Sequence, residues 1–147
     1  MTSDHPIDPL VLETSFHVRY YETDQMGIVH HSNYIRWMEE GRSDYMRRCG
    51  LNYAQVERRG HALAVTDVHT RYYAPAHYGE RVTVRTWVAA LRSRALTFGY
   101  EIVEADSARR LVTGEVQLML IDRAGHVVTF PAEMQAALLG RASHADS

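Results

Sequence analysis

The sequence contains no lysine: all sixteen basic residues among its 147 are arginine. Side chains that meet a phosphate here must therefore do so with planar guanidinium forks rather than ammonium groups. Cys49 is the one cysteine, so an intrachain disulfide is excluded and a reducing, cytoplasmic setting is expected. Its place at the end of an apolar helical stripe fits a buried structural thiol better than a nucleophile. No run approaches the roughly 20 apolar residues that a membrane helix needs. The segment from Met1 to Pro9 is acidic and carries proline, without the basic and apolar regions of a secretory signal. Net charge is only −2, too little to steer the whole molecule towards nucleic acid or an anionic membrane.

What is present is an ordinary globular composition, 46% hydrophobic and 23% charged, enough for one domain over residues 1–147 with its core between about 15 and 131. Met1 to Glu13 reads as a partly ordered leader and Arg141 to Ser147 as a polar tail. Phe16, Val18 and Tyr20 alternate with polar neighbours, which predicts a strand over Ser15 to Tyr21. Glu22 to Gly27 is polar and closes on glycine, a loop.

The strongest pattern follows. Tyr34, Trp37, Met38, Gly41 and Tyr45 recur at spacings of three and four between Ser32 and Arg48, with charged residues on the other side. This predicts an amphipathic helix of about 16 residues, roughly 25 Å long. Ser32 or Asn33 can cap its start, and Gly41 on its buried stripe suggests close approach to a sheet. A shorter helix is expected near Tyr53 to Arg59. Strands are expected over Leu63–Tyr73, Arg81–Leu91, Arg94–Glu104 and Arg110–Ile121, and a short helix follows Pro131. Turn residues between the later strands predict hairpins. One long apolar helix with one antiparallel sheet packs well only if the sheet curls around the helix, an α+β arrangement. The other sheet face is then solvated or paired with a second subunit.

The segment of chemical interest runs from Arg19 through Glu22-Thr23-Asp24-Gln25-Met26-Gly27 to His30-His31-Ser32-Asn33-Tyr34. It places a carboxylate, Asp24, in a glycine-containing loop just before a long helix. A helix start offers unpaired N–H groups to a carbonyl oxygen that is becoming an oxyanion. A carboxylate opposite can attack that carbonyl or deprotonate a water. By itself the pattern is weak, since aspartate before a helix is most often a turn or capping residue.

The run from Arg19 to Glu39 resembles the active-site segment of the 4-hydroxybenzoyl-CoA thioesterase family, in particular the acyl-CoA thioesterase branch related to YbgC. Arg71-Tyr72-Tyr73-Ala74-Pro75-Ala76-His77-Tyr78-Gly79-Glu80 and Leu96-Thr97-Phe98-Gly99-Tyr100-Glu101-Ile102 resemble that family too, and the likeness spans roughly Ser15 to Pro131. The resemblance implies the hotdog fold, hydrolysis of an acyl-CoA without a cofactor beyond the CoA of the substrate, and a homodimer with joined sheets or a dimer of dimers (a homotetramer). By position it implies Asp24 as catalytic carboxylate, His31 as the residue whose backbone N–H polarises the thioester, and Tyr34 as a lining of the acyl pocket. Gly27 belongs to the same motif. His30 departs from the family pattern, where an aromatic or small residue is common, and this bears on pocket shape.

Other candidates carry plainer readings beside their functional ones. His30 and His31 could suggest a metal pair, but neighbours at a helix start are expected to point apart, and no His-Glu-x-x-His spacing exists, so no metal is expected. The His31 side chain could orient Asp24 or water, or be structural. Asp67 could face the site from a partner subunit, though an outward strand position is commoner. Arg92 and Arg94 flank a turn and could hold CoA phosphates, though turn arginines are usually just solvated. Glu39 and Glu40 read as surface or interface residues. Two further functions stay open: a hotdog dehydratase or hydratase, and a non-catalytic acyl-CoA-binding module.

Overall fold

The structure is a computed structural model and describes residues 10–140. The expected leader up to Pro9 and the tail from Arg141 lie outside the described residues. In chain order the elements are β1 (Leu12–His17), α1 (Ser32–Arg48), α2 (Tyr53–Arg58), β2 (Ala62–Tyr72), β3 (Arg81–Leu91), β4 (Leu96–Glu104), β5 (Arg110–Ile121), β6 (Val127–Val128) and α3 (Ala132–Leu138). A short 3₁₀ turn occupies Tyr20–Glu22. All strands join one antiparallel sheet in the order β1-β3-β4-β5-β2, and β6 adds to β5 beyond the end of β4.

The sheet wraps around α1, the arrangement the sequence predicts. Alternating side chains of β3, β4 and β5, among them Val82, Val84, Phe98, Tyr100, Ile102, Val112, Val116 and Leu118, form its buried inner face. Trp37, Met38, Gly41 and Tyr45 of α1 pack onto that face, as their spacing requires. Register shifts at Val65/Asp67 and Val88/Ala90 mark bulges that help the sheet curl. Gly41 is where helix and sheet come closest. A Cβ built there would stand 2.6 Å from Thr86 Oγ1 and 2.9 Å from a Val84 methyl, both buried on β3. At the far end of α1 the Tyr45 hydroxyl donates to the Leu138 carbonyl at 2.9 Å and ties down α3.

Several expectations need correction. The first strand begins at Leu12, inside the expected leader, and stops at His17 rather than Tyr21. The strand ends because the Glu22 side chain turns back to accept the Arg19 N–H at 2.8 Å, closing the 3₁₀ turn. Tyr20, expected on the buried face, is 76% exposed as a result. The fourth strand begins at Leu96 rather than Arg94, since Arg92 N–H and Ala95 C=O close the preceding turn. The two-residue β6 went unpredicted, being too short to alternate.

Among the described residues the sheet ends in two unpaired edge strands, β1 and β2, and β2 is the longer. β2 pairs only with β5, and its inner-facing Val65, Val68 and Tyr72 are 48%, 38% and 44% exposed. An eleven-residue edge strand with a mostly apolar inner face is a ready template for pairing with another chain. Among the described residues no helix is long and apolar enough to cross a membrane.

The contact at Gly41 generates a stability prediction. Gly41→Ala gains about 1 kcal/mol of helix propensity, yet overpacks against buried neighbours at a typical cost of about 1–3 kcal/mol. Urea unfolding is expected to show net destabilisation of the variant; a stability equal to or above wild type would contradict the close packing.

Candidate active site

The loop between β1 and α1 is a small hairpin in its own right. Thr23 pairs with Val29, Asp24 N–H donates to Ile28 C=O at 2.9 Å, and His30 N–H donates to Glu22 C=O at 2.9 Å. Its tip is a turn in which Gly27 N–H donates to Asp24 C=O at 3.0 Å, and Gly27 adopts φ +77°, a conformation glycine accepts without strain. The Gly27 carbonyl accepts the Tyr78 N–H at 3.1 Å, so the loop is anchored to the segment before β3. Gly27 therefore acts in shaping the turn.

Asp24 sits at the start of this turn and is exposed. Its Oδ1 accepts the N–H of Met26 at 2.8 Å and of Ile28 at 3.3 Å. Its second oxygen, Oδ2, has no partner among the described residues, which leaves one carboxylate oxygen available to a ligand. His31 lies on the other limb. Three ladder steps separate the two residues, roughly 10 Å between backbones.

At the start of α1 the backbone groups are shared unevenly. Ser32 N–H donates to the His30 ring at 3.3 Å, Asn33 N–H to His30 C=O at 3.0 Å, and Tyr34 N–H to His31 C=O at 3.4 Å. The N–H of His31 has no acceptor among the described residues. The expected cap from Ser32 or Asn33 is not made. Ser32 is already helical, and the Asn33 amide reaches back instead to donate to Glu22 C=O at 2.9 Å. The rings of His30 and His31 do not point apart as expected but stack, with centroids 4.3 Å apart and 29° between planes. His30 Nδ1 and Ser32 Oγ share a hydrogen bond of 2.8 Å, which holds the His30 ring in this position. Among the described residues no three His, Cys, Asp or Glu side chains gather in a group able to hold a metal ion.

Beside the unpaired N–H lies a cleft of about 300 Å³ lined by Val29, His31, Tyr34, Tyr72, Tyr73, Ala74 and Pro75. Tyr34 is 3% exposed; its hydroxyl accepts the Ala76 N–H at 2.9 Å, and its ring meets Trp37 and Tyr72 edge-on. Burial pushes the Tyr34 hydroxyl above the ordinary tyrosine value, so it stays neutral. Tyr72, which the sequence did not single out, is half-exposed at the end of β2, and its hydroxyl donates to the His31 carbonyl at 3.2 Å. Only its position within the second family-like motif could have drawn attention to it.

The remaining sequence-derived candidates are not brought to this cleft within one chain. Asp67 is exposed and stands opposite Gln117 across the bulge, on the outer sheet face away from α1. Arg92 and Arg94 are exposed at the β3–β4 turn, without an ion pair among the described residues. That turn adjoins Leu118 of β5, whereas Tyr72 adjoins Val112. Six residues of strand, roughly 20 Å, therefore separate the turn from the cleft. A larger groove of about 570 Å³ lies at the far end of α1, with Met46, Leu51, Tyr53, Leu63 and Leu118 beneath a rim of Glu39 and Arg42.

Glu22 is the residue that sequence reasoning missed. Its neighbours in the chain mark it as part of a polar loop, yet it is 3% exposed and its carboxylate accepts the indole N–H of Trp37 at 2.8 Å. Arg19 bonds Glu22 and also Glu40, each at 3.2 Å, so Glu40 is engaged with the loop rather than simply facing solvent. The Glu40 hydrogen bond raises the Arg19 pKa further and keeps the guanidinium charged.

Comparison with known proteins shows the family. The family model described as the thioesterase-like superfamily matches residues 18–138. The protein named "putative acyl-CoA thioesterase YneP" of Bacillus subtilis is 41% identical over 92 residues, covering 63% of this chain and 67% of YneP. The acyl-CoA thioester hydrolase YbgC of Escherichia coli is 28% identical over 105 residues, 71% of this chain and 78% of YbgC. Among solved structures, the DHNA-CoA thioesterase of Staphylococcus aureus superposes with a TM-score of 0.76 at 32% identity, covering 84% of this chain and 81% of that one. A family match over most of the chain, on a sheet wrapped around one helix, identifies this protein as a hotdog-fold member of the thioesterase-like superfamily.

Proposed function

We propose that this enzyme hydrolyses an acyl-CoA thioester to the free acid and CoA, with Asp24 as the reacting carboxylate. The observation that carries the reading is the unpaired N–H of His31 at the start of α1, beside a tyrosine-lined cleft and on the same hairpin as the half-free carboxylate of Asp24. A thioester carbonyl in that cleft accepts the His31 N–H, and the positive end of the helix favours the charge that develops on its oxygen. Asp24 Oδ2 either adds to the carbonyl carbon and expels the CoA thiolate, leaving an anhydride that water cleaves, or takes a proton from a water that adds directly. Both routes end in the same products. The names of YneP and YbgC support hydrolysis of an acyl-CoA.

The working unit we infer is at least a dimer. Asp24 is exposed in the single chain, and the apolar edge of β2 is bare beside the cleft. Two copies joined antiparallel along β2 place the Leu63 end of one strand next to the Tyr72 end of the other. The 570 Å³ groove and the Arg92–Arg94 turn of one protomer then lie on the side of its partner's cleft. The groove would receive the acyl group, and the arginines the CoA phosphates. Asp67, on the outer face near the middle of β2, would stand beside the junction. A dimer of such dimers, the absence of a resident cofactor and a cytoplasmic location complete the proposal.

Two outcomes are expected. With the acyl-CoA that turns over fastest in a panel of short, long and aromatic acyl groups, freshly prepared Asp24→Asn should lose several orders of magnitude in kcat while keeping the wild-type circular dichroism. An unchanged kcat would remove Asp24 from the mechanism. Sedimentation of the wild type should give a dimer or larger, and Val68→Lys at the bare edge should yield monomer together with loss of turnover. A fully active monomer would refute the shared site.

A further inference from the structure

We propose that Glu22 is a positioning residue for the reaction assigned above: one buried side chain and its own carbonyl hold both limbs of the Asp24 loop against α1. The inference rests on that functional reading, but its structural basis is independent of it.

Glu22 stands two residues before Asp24, and its carboxylate meets only donors. Oε1 accepts the Arg19 N–H at 2.8 Å, while Oε2 accepts the Trp37 indole N–H at 2.8 Å and the Arg19 guanidinium at 3.2 Å. Its carbonyl accepts the His30 N–H and the Asn33 amide, both at 2.9 Å. His30 immediately precedes His31, so the N–H that is to meet the thioester hangs from a backbone fixed by Glu22. Asn33, Trp37 and Glu40, the last through Arg19, lie at i, i+4 and i+7 along α1. That spacing puts all three on one stripe of the helix. The stripe serves the loop.

At 3% exposure Glu22 cannot touch substrate. Its effect must pass through the two groups it places. The charge matters as well as the shape: Glu22→Gln conserves volume but turns one acceptor into an N–H that faces an N–H. An unpaired donor in that interior forces the loop to shift. A displacement of about 1 Å at reacting groups costs up to a hundredfold in rate.

The test compares Glu22→Gln and the milder Asn33→Ala with wild type on the best acyl-CoA, in otherwise native protein and in an Asp24→Asn background. With wild-type circular dichroism retained, kcat of Glu22→Gln should fall between about tenfold and a hundredfold while KM stays within about twofold. Asn33→Ala should move kcat the same way by less, and it carries the test if Glu22→Gln does not fold. In the Asp24→Asn background Glu22→Gln should slow the residual rate by less than it slows the wild type, because the part of its effect that passes through Asp24 is already lost and only the part through the His31 N–H remains. An unchanged kcat, or a loss that multiplies in full on Asp24→Asn, would overturn the proposal. Should the wild type turn over no acyl-CoA, the functional reading fails and the positioning claim is read by amide hydrogen exchange. Faster exchange at Ile28 and His30 in Glu22→Gln supports it, and unchanged exchange refutes it.

Discussion

A carboxylate removed from water must find hydrogen-bond donors, and Glu22 finds them in Arg19 and in the indole of Trp37. That requirement organises the region around it. Trp37 is fully buried, with its ring packed against Phe16 of β1 and Tyr34 of α1, so the bond to Glu22 fixes the loop to the centre of the core. One turn further along α1, Gly41 lets the helix settle onto Thr86 and Val84. Loop, helix start and sheet are thereby joined by one continuous set of contacts. An exposed aspartate can then be held in a defined place without being buried itself.

The sheet of this unit is unpaired along the free edge of β2. The cleft at the helix start opens beside β2, whose inner side chains meet solvent, and the larger apolar groove lies at the other end of that strand. Antiparallel joining of two β2 edges reverses one copy relative to the other. In the dimer we propose, it would supply each cleft with what the single chain holds at the opposite end. Under that proposal, candidate residues that are far apart in one protomer belong to one reaction.

Much of this was legible where the relevant groups are local. The spacing of Tyr34, Trp37, Met38, Gly41 and Tyr45 gave α1 its bounds and its buried face, and Gly41 its close approach. Asp24, His31 and Tyr34 stand in one short segment, so a motif reading finds them together. What escaped was non-local or depended on side-chain direction. Tyr72 bonds a residue 41 positions away, a contact that only the β2–β5 register creates. The end of β1 is hidden in the sequence because the alternation of Phe16, Val18 and Tyr20 continues past His17, while Glu22 bends the backbone back. Glu22 itself looks like loop polarity. Its burial follows from a helix stripe of Asn33, Trp37 and Glu40 whose members, taken singly, look like cap, core and surface.

The central claim is that a thioester carbonyl binds at the start of α1 between His31 and Asp24. A crystal structure of Asp24→Asn with an intact acyl-CoA tests it most directly. The account predicts the carbonyl oxygen about 2.7–3.1 Å from the His31 nitrogen, with the substituted side chain at position 24 facing the carbonyl carbon. A carbonyl turned away from the helix start, or a thioester bound elsewhere on the sheet, would contradict it.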